Sequence, residues 1–143
     1  MSINTKKAQV QEIIKCGKEP LYFINRYCRI QHPIKGLVQF DTYNFQDDCI
    51  QNFLDHRFNI ILKSRQLGIS TITAAYAAWL ALFHKDKQIL VIATKRTTAV
   101  NFIKKVKVIV SKMPKWLMLS EIVTNNTQGL EFGNGSSVKA IPT

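Results

Sequence analysis

Acidic residues are scarce in this chain: 143 residues carry 9 Asp+Glu against 20 Lys+Arg, for a net charge of +11. That balance disfavours cationic ligands and favours polyanions, with nucleic acid the leading partner class. Cysteine is scarce as well. Cys16, Cys28 and Cys49 are odd in number and form no C-x-x-C pair, which argues against a disulfide framework or a thiolate zinc site. His32, His56 and His84 stand apart, without the spacing of metal ligands. Long apolar runs are missing too. The longest, Ile72 to Phe83, falls well short of the ~20 residues that cross a bilayer. The start, Met1-Ser2-Ile3-Asn4-Thr5-Lys6-Lys7, lacks the apolar core of a signal peptide, so the expectation is a cytosolic protein with no membrane partner. A hydrophobic content of 46% over this length suffices for one domain with a real core.

Against these absences stands one dense stretch, Phe58 to Thr71. Phe58-Asn59-Ile60-Ile61-Leu62 is a short, nearly continuous apolar run, the pattern of a strand buried on both faces of a parallel sheet. A tight polar loop with Gly68 follows, and a long apolar helix is predicted to open at Ser70-Thr71. Strand, compact loop and helix N-terminus in that order make a phosphate site, because loop amides and the first free helical amides converge where the helix dipole favours an anion. The P-loop pattern G-x-x-x-x-G-K-[ST] is met only in part. Gly68 takes the second glycine and Ser70 the magnesium-binding hydroxyl, but Ile69 stands where the lysine belongs and Lys63 where the first glycine belongs. The chemistry needs an ammonium within reach of the β- and γ-phosphates and a cradle of backbone donors. Lys63, at the start of the loop, is placed to reach across the turn, with Arg65 as a second cation.

Lys63-Ser64-Arg65-Gln66-Leu67-Gly68-Ile69-Ser70-Thr71 resembles the deviant Walker A motif of the large terminases of tailed phages, the ATPase motors that pump DNA into proheads. There the loop reads roughly [KS]-x-R-Q-x-G-x-[ST], with the lysine at its beginning. Two further segments resemble the same family in the same order. Tyr43-Asn44-Phe45-Gln46, ahead of the loop, is similar to the adenine-binding Q-motif of terminases and helicases, in which a glutamine amide reads the adenine edge and an aromatic ring covers the base. Gly129-Leu130-Glu131-Phe132 and Ser136-Ser137-Val138-Lys139-Ala140-Ile141 flank Gly133-Asn134-Gly135. This Asn-Gly hairpin signal is similar to the hairpin that precedes the Walker B strand. The resemblance runs from about Tyr43 to Ala140. It implies an α/β fold of P-loop NTPase type, a parallel sheet flanked by helices, with an N-terminal helical segment at 1–36 and a partial ATPase domain at 37–143.

Between these landmarks the patterning is regular. Ser2 to Lys18 and Leu21 to Arg29 read as helices, the second aromatic with Arg26 and Arg29 interleaved, either to dock the helix or to stack on bases. His32 to Gly36 is a turn, Leu37 to Phe40 an extended piece, and Tyr43 to His56 opens into a helix. Ser70 to His84 is apolar nearly all round, hence buried. Gln88 to Ala93 is a second buried strand ending at Thr94-Lys95-Arg96. A right-handed crossover would lay that strand parallel to Phe58–Leu62 and bring Thr94, Lys95 and Arg96 to the ligand crevice, or leave them in a solvated turn. Thr97 to Met113 is amphipathic, with Ala99, Phe102, Ile103, Val106, Ile109, Val110 and Met113 on one side and Lys104, Lys105, Lys107 and Lys112 on the other, a solubilising face or a track for DNA. Lys115 to Met118 is one more helical turn, and Glu121 to Thr124 a short strand.

An apolar strand closed by Asp-Glu, which P-loop motors use to hold Mg²⁺ and to position water, is not found: Asp47-Asp48 is the only paired acid and it precedes the loop. The resemblance therefore implies the N-terminal part of a terminase large subunit, acting in the host cytoplasm, with ATP and Mg²⁺ as ligands. Lys63, Ser64, Arg65, Gln66, Leu67, Gly68, Ile69, Ser70 and Thr71 would cradle the phosphates, Ser70 the metal, Gln46 and Tyr43 the adenine, and Arg65 would act on the γ-phosphate. Double-stranded DNA, the portal protein, the terminase small subunit and further copies in a ring are the implied partners. ATP hydrolysis would belong to the longer protein, with weak nucleotide binding and little turnover here. A helicase-like ATPase built from the same parts, or a non-enzymatic basic DNA-binding module, remain the competing readings.

Overall fold

The computed structural model describes residues 2–143. Its elements begin with α1 (Ile3–Lys18), α2 (Pro20–Tyr27), β1 (Arg29–His32), β2 (Gly36–Gln39) and α3 (Asn44–Asp55). They continue with α4 (Ile69–Phe83), β3 (Gln88–Ala93), α5 (Arg96–Ser111), a 3-10 turn (Lys115–Leu117), β4 (Ile122–Asn126), β5 (Gly129–Phe132) and β6 (Ser137–Pro142). The architecture is α/β: five helices around a four-stranded mixed sheet of order β3-β6-β5-β4, with β1 and β2 as a separate antiparallel hairpin. β3 and β6 pair in parallel, while β5 pairs antiparallel with both β6 and β4.

Local chemistry accounts for the element ends. Ser2 caps α1 through its hydroxyl, which accepts from the Thr5 amide, and Pro20 opens α2 at a position where its missing N–H costs nothing. α2 stops two residues earlier than its aromatic pattern suggests, because Arg29 is drawn into β1 opposite Gln39. That β1–β2 hairpin spans the 36/37 position, and α1 and α2 share one apolar core with the rest of the chain.

α4 is the centre of that core. Ile72, Ala74, Ala75, Ala78, Trp79 and Leu82 are buried along it, and the alanines let α5 and α2 approach closely. The indole of Trp79 donates to the Cys16 carbonyl at 2.8 Å, tying α4 to α1. At the other end of α4, the β5–β6 turn closes the free carbonyls: Asn134 Nδ2 donates to Ala81 and His84, and Ser136 Oγ to His84. Gly135 permits the turn through its left-handed φ of +84; a Cβ there would also have to displace the exposed Asp86 carboxylate.

Two expectations are corrected. Phe58–Leu62 forms no strand. Ile60 and Leu62 are fully exposed, at 101% and 99%, because β3 takes β6 as its parallel neighbour and no ladder partner lies beside the apolar run. An apolar run supplies side chains for a buried strand but not the second strand whose N–H and C=O groups it needs. The second correction is to β3, whose bounds agree with the sequence but whose burial does not. Leu90 and Ile92 are 57% and 60% exposed, since α5 covers the β3–β6 pair from one side and the opposite face is open among the described residues.

Candidate nucleotide-binding site

The glycine loop is built around Gly68. Its φ of +70 and ψ of 17 are left-handed, and a Cβ there would lie 2.6 Å from Gln46 Nε2, so glycine is required for conformation and for space. Gln66 also takes a positive φ, 62, which turns the loop tightly without a second glycine. The Gly68 carbonyl accepts from the amides of Thr71 and Ile72, at 3.1 and 3.0 Å. The amides of Ile69 and Ser70 are left without a protein acceptor among the described residues, and no acid sits in the first turn of α4. This helix mouth carries free donors and the positive end of the dipole.

Gln46 holds the loop from behind. Only 3% exposed, its amide accepts from the Tyr43 N–H at 3.0 Å and donates to the Leu67 carbonyl at 3.1 Å. The first bond is the return half of a capping box on α3; the second clamps the loop one residue before Gly68. Sequence reasoning singled out Gln46 for the base, yet in this structure its amide is engaged in fixing the backbone. Tyr43 and Phe45 stack in parallel beside it, ring centroids 5.6 Å apart and planes 8° apart. They form the wall of a cleft of about 610 Å³ whose floor is Gln66, Leu67, Gly68 and Thr71. Its far wall is the β1–β2 hairpin, including His32 and Lys35. His32 Nδ1 accepts from the amides of Ile34 and Lys35, both at 3.1 Å, which sets the hairpin tip. Neither residue was legible as a site residue, because their place depends on hairpin pairing across the chain.

On the other side of the α4 N-terminus lies a second cleft of about 520 Å³, between α4, the end of β3 and α5. Ser70 and Thr94 line it; Lys95 stands at the N-cap of α5 and Arg96 begins it, both exposed and outside this lining. Lys105 lines it as well. The stripe Thr98, Asn101 and Lys105, at helical spacing, was the available signal for that face of α5.

The remaining loop residues are in solvent. Lys63, Ser64 and Arg65 are exposed, and Lys63 Nζ makes one long contact, 3.5 Å, to the neighbouring Ser64 carbonyl. Ile69, where the usual motif carries lysine, turns inward and is buried, so the exposed ammonium of the loop comes from Lys63. Burial, and secondarily Lys63, lowers the pKa of Lys105 from the ordinary lysine range.

Comparison with known families matches residues 60–143, more than half of the chain, to a family described as terminase large subunit, T4likevirus-type, N-terminal.

Proposed function

The chain belongs to the family of T4-like terminase large subunits, N-terminal part, and is thus a component of a viral genome-packaging motor; from that premise we propose that it carries the ATP-binding site of a motor that drives double-stranded DNA into a prohead. The observation that carries this reading is the open mouth of α4, with two free amides, an uncompensated dipole and a left-handed Gly68 braced by Gln46. In the proposed complex the polyphosphate lies against those amides. Lys63 swings from its weak Ser64 contact to supply the ammonium that Ile69 cannot, and Arg65 meets the γ-phosphate. Ser64, Gln66, Leu67 and Thr71 complete the cradle. Adenine enters the cleft beside the Tyr43–Phe45 stack, and Gln46 holds the loop that floors this cleft through Leu67.

Mg²⁺ fits one residue of the site. Ser70 lines the cleft at the helix mouth, and a hard cation takes a serine hydroxyl oxygen together with phosphate oxygens. When bound, the metal would neutralise charge on the phosphates. The P-loop character of the fold belongs to the same proposal, as do the portal protein, the terminase small subunit and a homo-oligomeric ring as partners. The net charge of +11 supports the DNA partner, and the site of action would be the host cytoplasm.

Titration of the 143-residue chain with a fluorescent ATP analogue in Mg²⁺ tests the reading. Saturable binding that Lys63→Ala weakens by about tenfold or more, the scale of one charge-assisted contact, is the expected result. Salt-sensitive DNA binding with no nucleotide affinity would instead identify a basic DNA-binding module.

A further inference from the structure

We propose that Lys105, on α5, is a second phosphate-contacting cation of this site, acting with Lys63 on one polyphosphate. The inference rests on the nucleotide-binding reading above and adds to it a residue from outside the loop motif.

Three observations converge on Lys105. The first is position. Its side chain borders the cleft of about 520 Å³ that Ser70 lines, and also a smaller one of about 290 Å³ that Thr71 lines, so it lies against both flanks of the first turn of α4. The second is the chemistry of the larger cleft. Its polar lining is Ser70, Thr73, Thr94, Thr98, Asn101 and Lys105, which is hydroxyls, one amide and one ammonium, with no carboxylate. Thr73 already donates to the Ile69 carbonyl, leaving the other donors for a ligand. A wall of neutral donors and one cation beside the positive end of a helix suits an anion with several oxygens. The third is charge. Lys105 is partly buried, and the ion pair found among the described residues, Lys139 with Glu131, lies elsewhere. Burial and the nearby Lys63 both disfavour its charged form, a cost that a polyphosphate between the two ammoniums relieves.

The enclosure favours a nucleotide over a DNA backbone. Lys104 on the same helix is exposed and lines only the smaller cleft, whereas Lys105 is partly buried and lines the larger one beside Ser70 as well.

The test uses the 143-residue chain with Lys105→Gln, Lys105→Arg and Lys63→Ala, titrated with fluorescent analogues of ATP and of adenosine in Mg²⁺ and, separately, with duplex DNA, with melting curves for each variant. The expected result for Lys105→Gln is ATP affinity reduced by about tenfold, the scale of one charge-assisted contact. Adenosine affinity should stay at the wild-type value, the melting temperature should not move, and Lys105→Arg should recover most of the ATP affinity. If Lys63→Ala weakens ATP while Lys105→Gln does not, this inference is overturned and the nucleotide site stands. An equal loss of ATP and adenosine affinity would mark Lys105 as structural and overturn it too. So would a loss of DNA affinity alone. A wild-type chain without ATP affinity removes both readings.

Discussion

The arm that carries the glycine loop and the helix it leads into are adjacent in sequence and opposite in physics. From Phe58 to Leu62 the chain is mostly apolar, without regular secondary structure, and exposed; from Ile72 to Leu82 it is apolar, helical and buried. Hydrophobicity alone does not separate them. An α-helix satisfies its own backbone groups and can bury an apolar face against any neighbour, whereas a strand needs a second strand at the right distance before its side chains are covered. What anchors the loop here is the helix after it and Gln46 behind it, not the run before it.

Mutations should divide along that line. The largest effect belongs to the core: Ile72→Ala removes a fully buried side chain from the centre of α4 and should cost about 2–5 kcal/mol, measured by urea denaturation. Next comes the brace. Gln46→Leu keeps the volume but strands the Leu67 carbonyl and the Tyr43 amide, for about 1–3 kcal/mol. It should also raise hydrogen exchange in the loop more than in α5. If exchange rises equally in both, the brace acts on the whole fold and the distinction between loop and core is lost.

A pH effect of smaller size comes from the N-terminal helices. Tyr22 and Tyr27 both donate to Oε1 of Glu12, and these bonds, Tyr22 first, lower the Glu12 pKa from its ordinary value. A carboxyl whose folded pKa is depressed contributes stability above the ordinary carboxylate range and loses it as pH falls through the folded value. Wild type should therefore exceed Glu12→Gln in stability at neutral pH, and the gap should close on acidification. A gap that is constant across the titration would assign the effect to packing. The smallest change is expected on the arm. Ile60→Ser, at a fully exposed position, should alter stability by no more than about 0.5 kcal/mol. A loss several times larger would mean that the arm is buried in solution and that its contrast with α4 is wrong.

Several elements were legible because their cues are local. Ser2 marks the start of α1, the alanine-rich run announces a buried helix, and Asn134-Gly135 marks the turn between β5 and β6. The loop was legible as a candidate site through Gly68 and Ser70. Other features were hidden because they depend on residues far away in sequence. Gln46 reads as a surface residue or a base reader, and only its approach to Leu67, 21 positions on, makes it a brace. Lys105 reads as one lysine among three on α5 until Ser70 and Thr94 are brought opposite it. His32 and Lys35 join the cleft only once β1 pairs with β2.

By itself the sequence determined the helices, the tight turns and the surplus of positive charge, since capping, backbone torsion and net charge are set within a few residues or by simple addition. Tertiary structure alone decided which apolar run is covered, which glutamine holds the loop and which lysine faces the mouth of α4. Burial and electrostatic convergence depend on what arrives from distant parts of the chain, and no local pattern encodes that arrival.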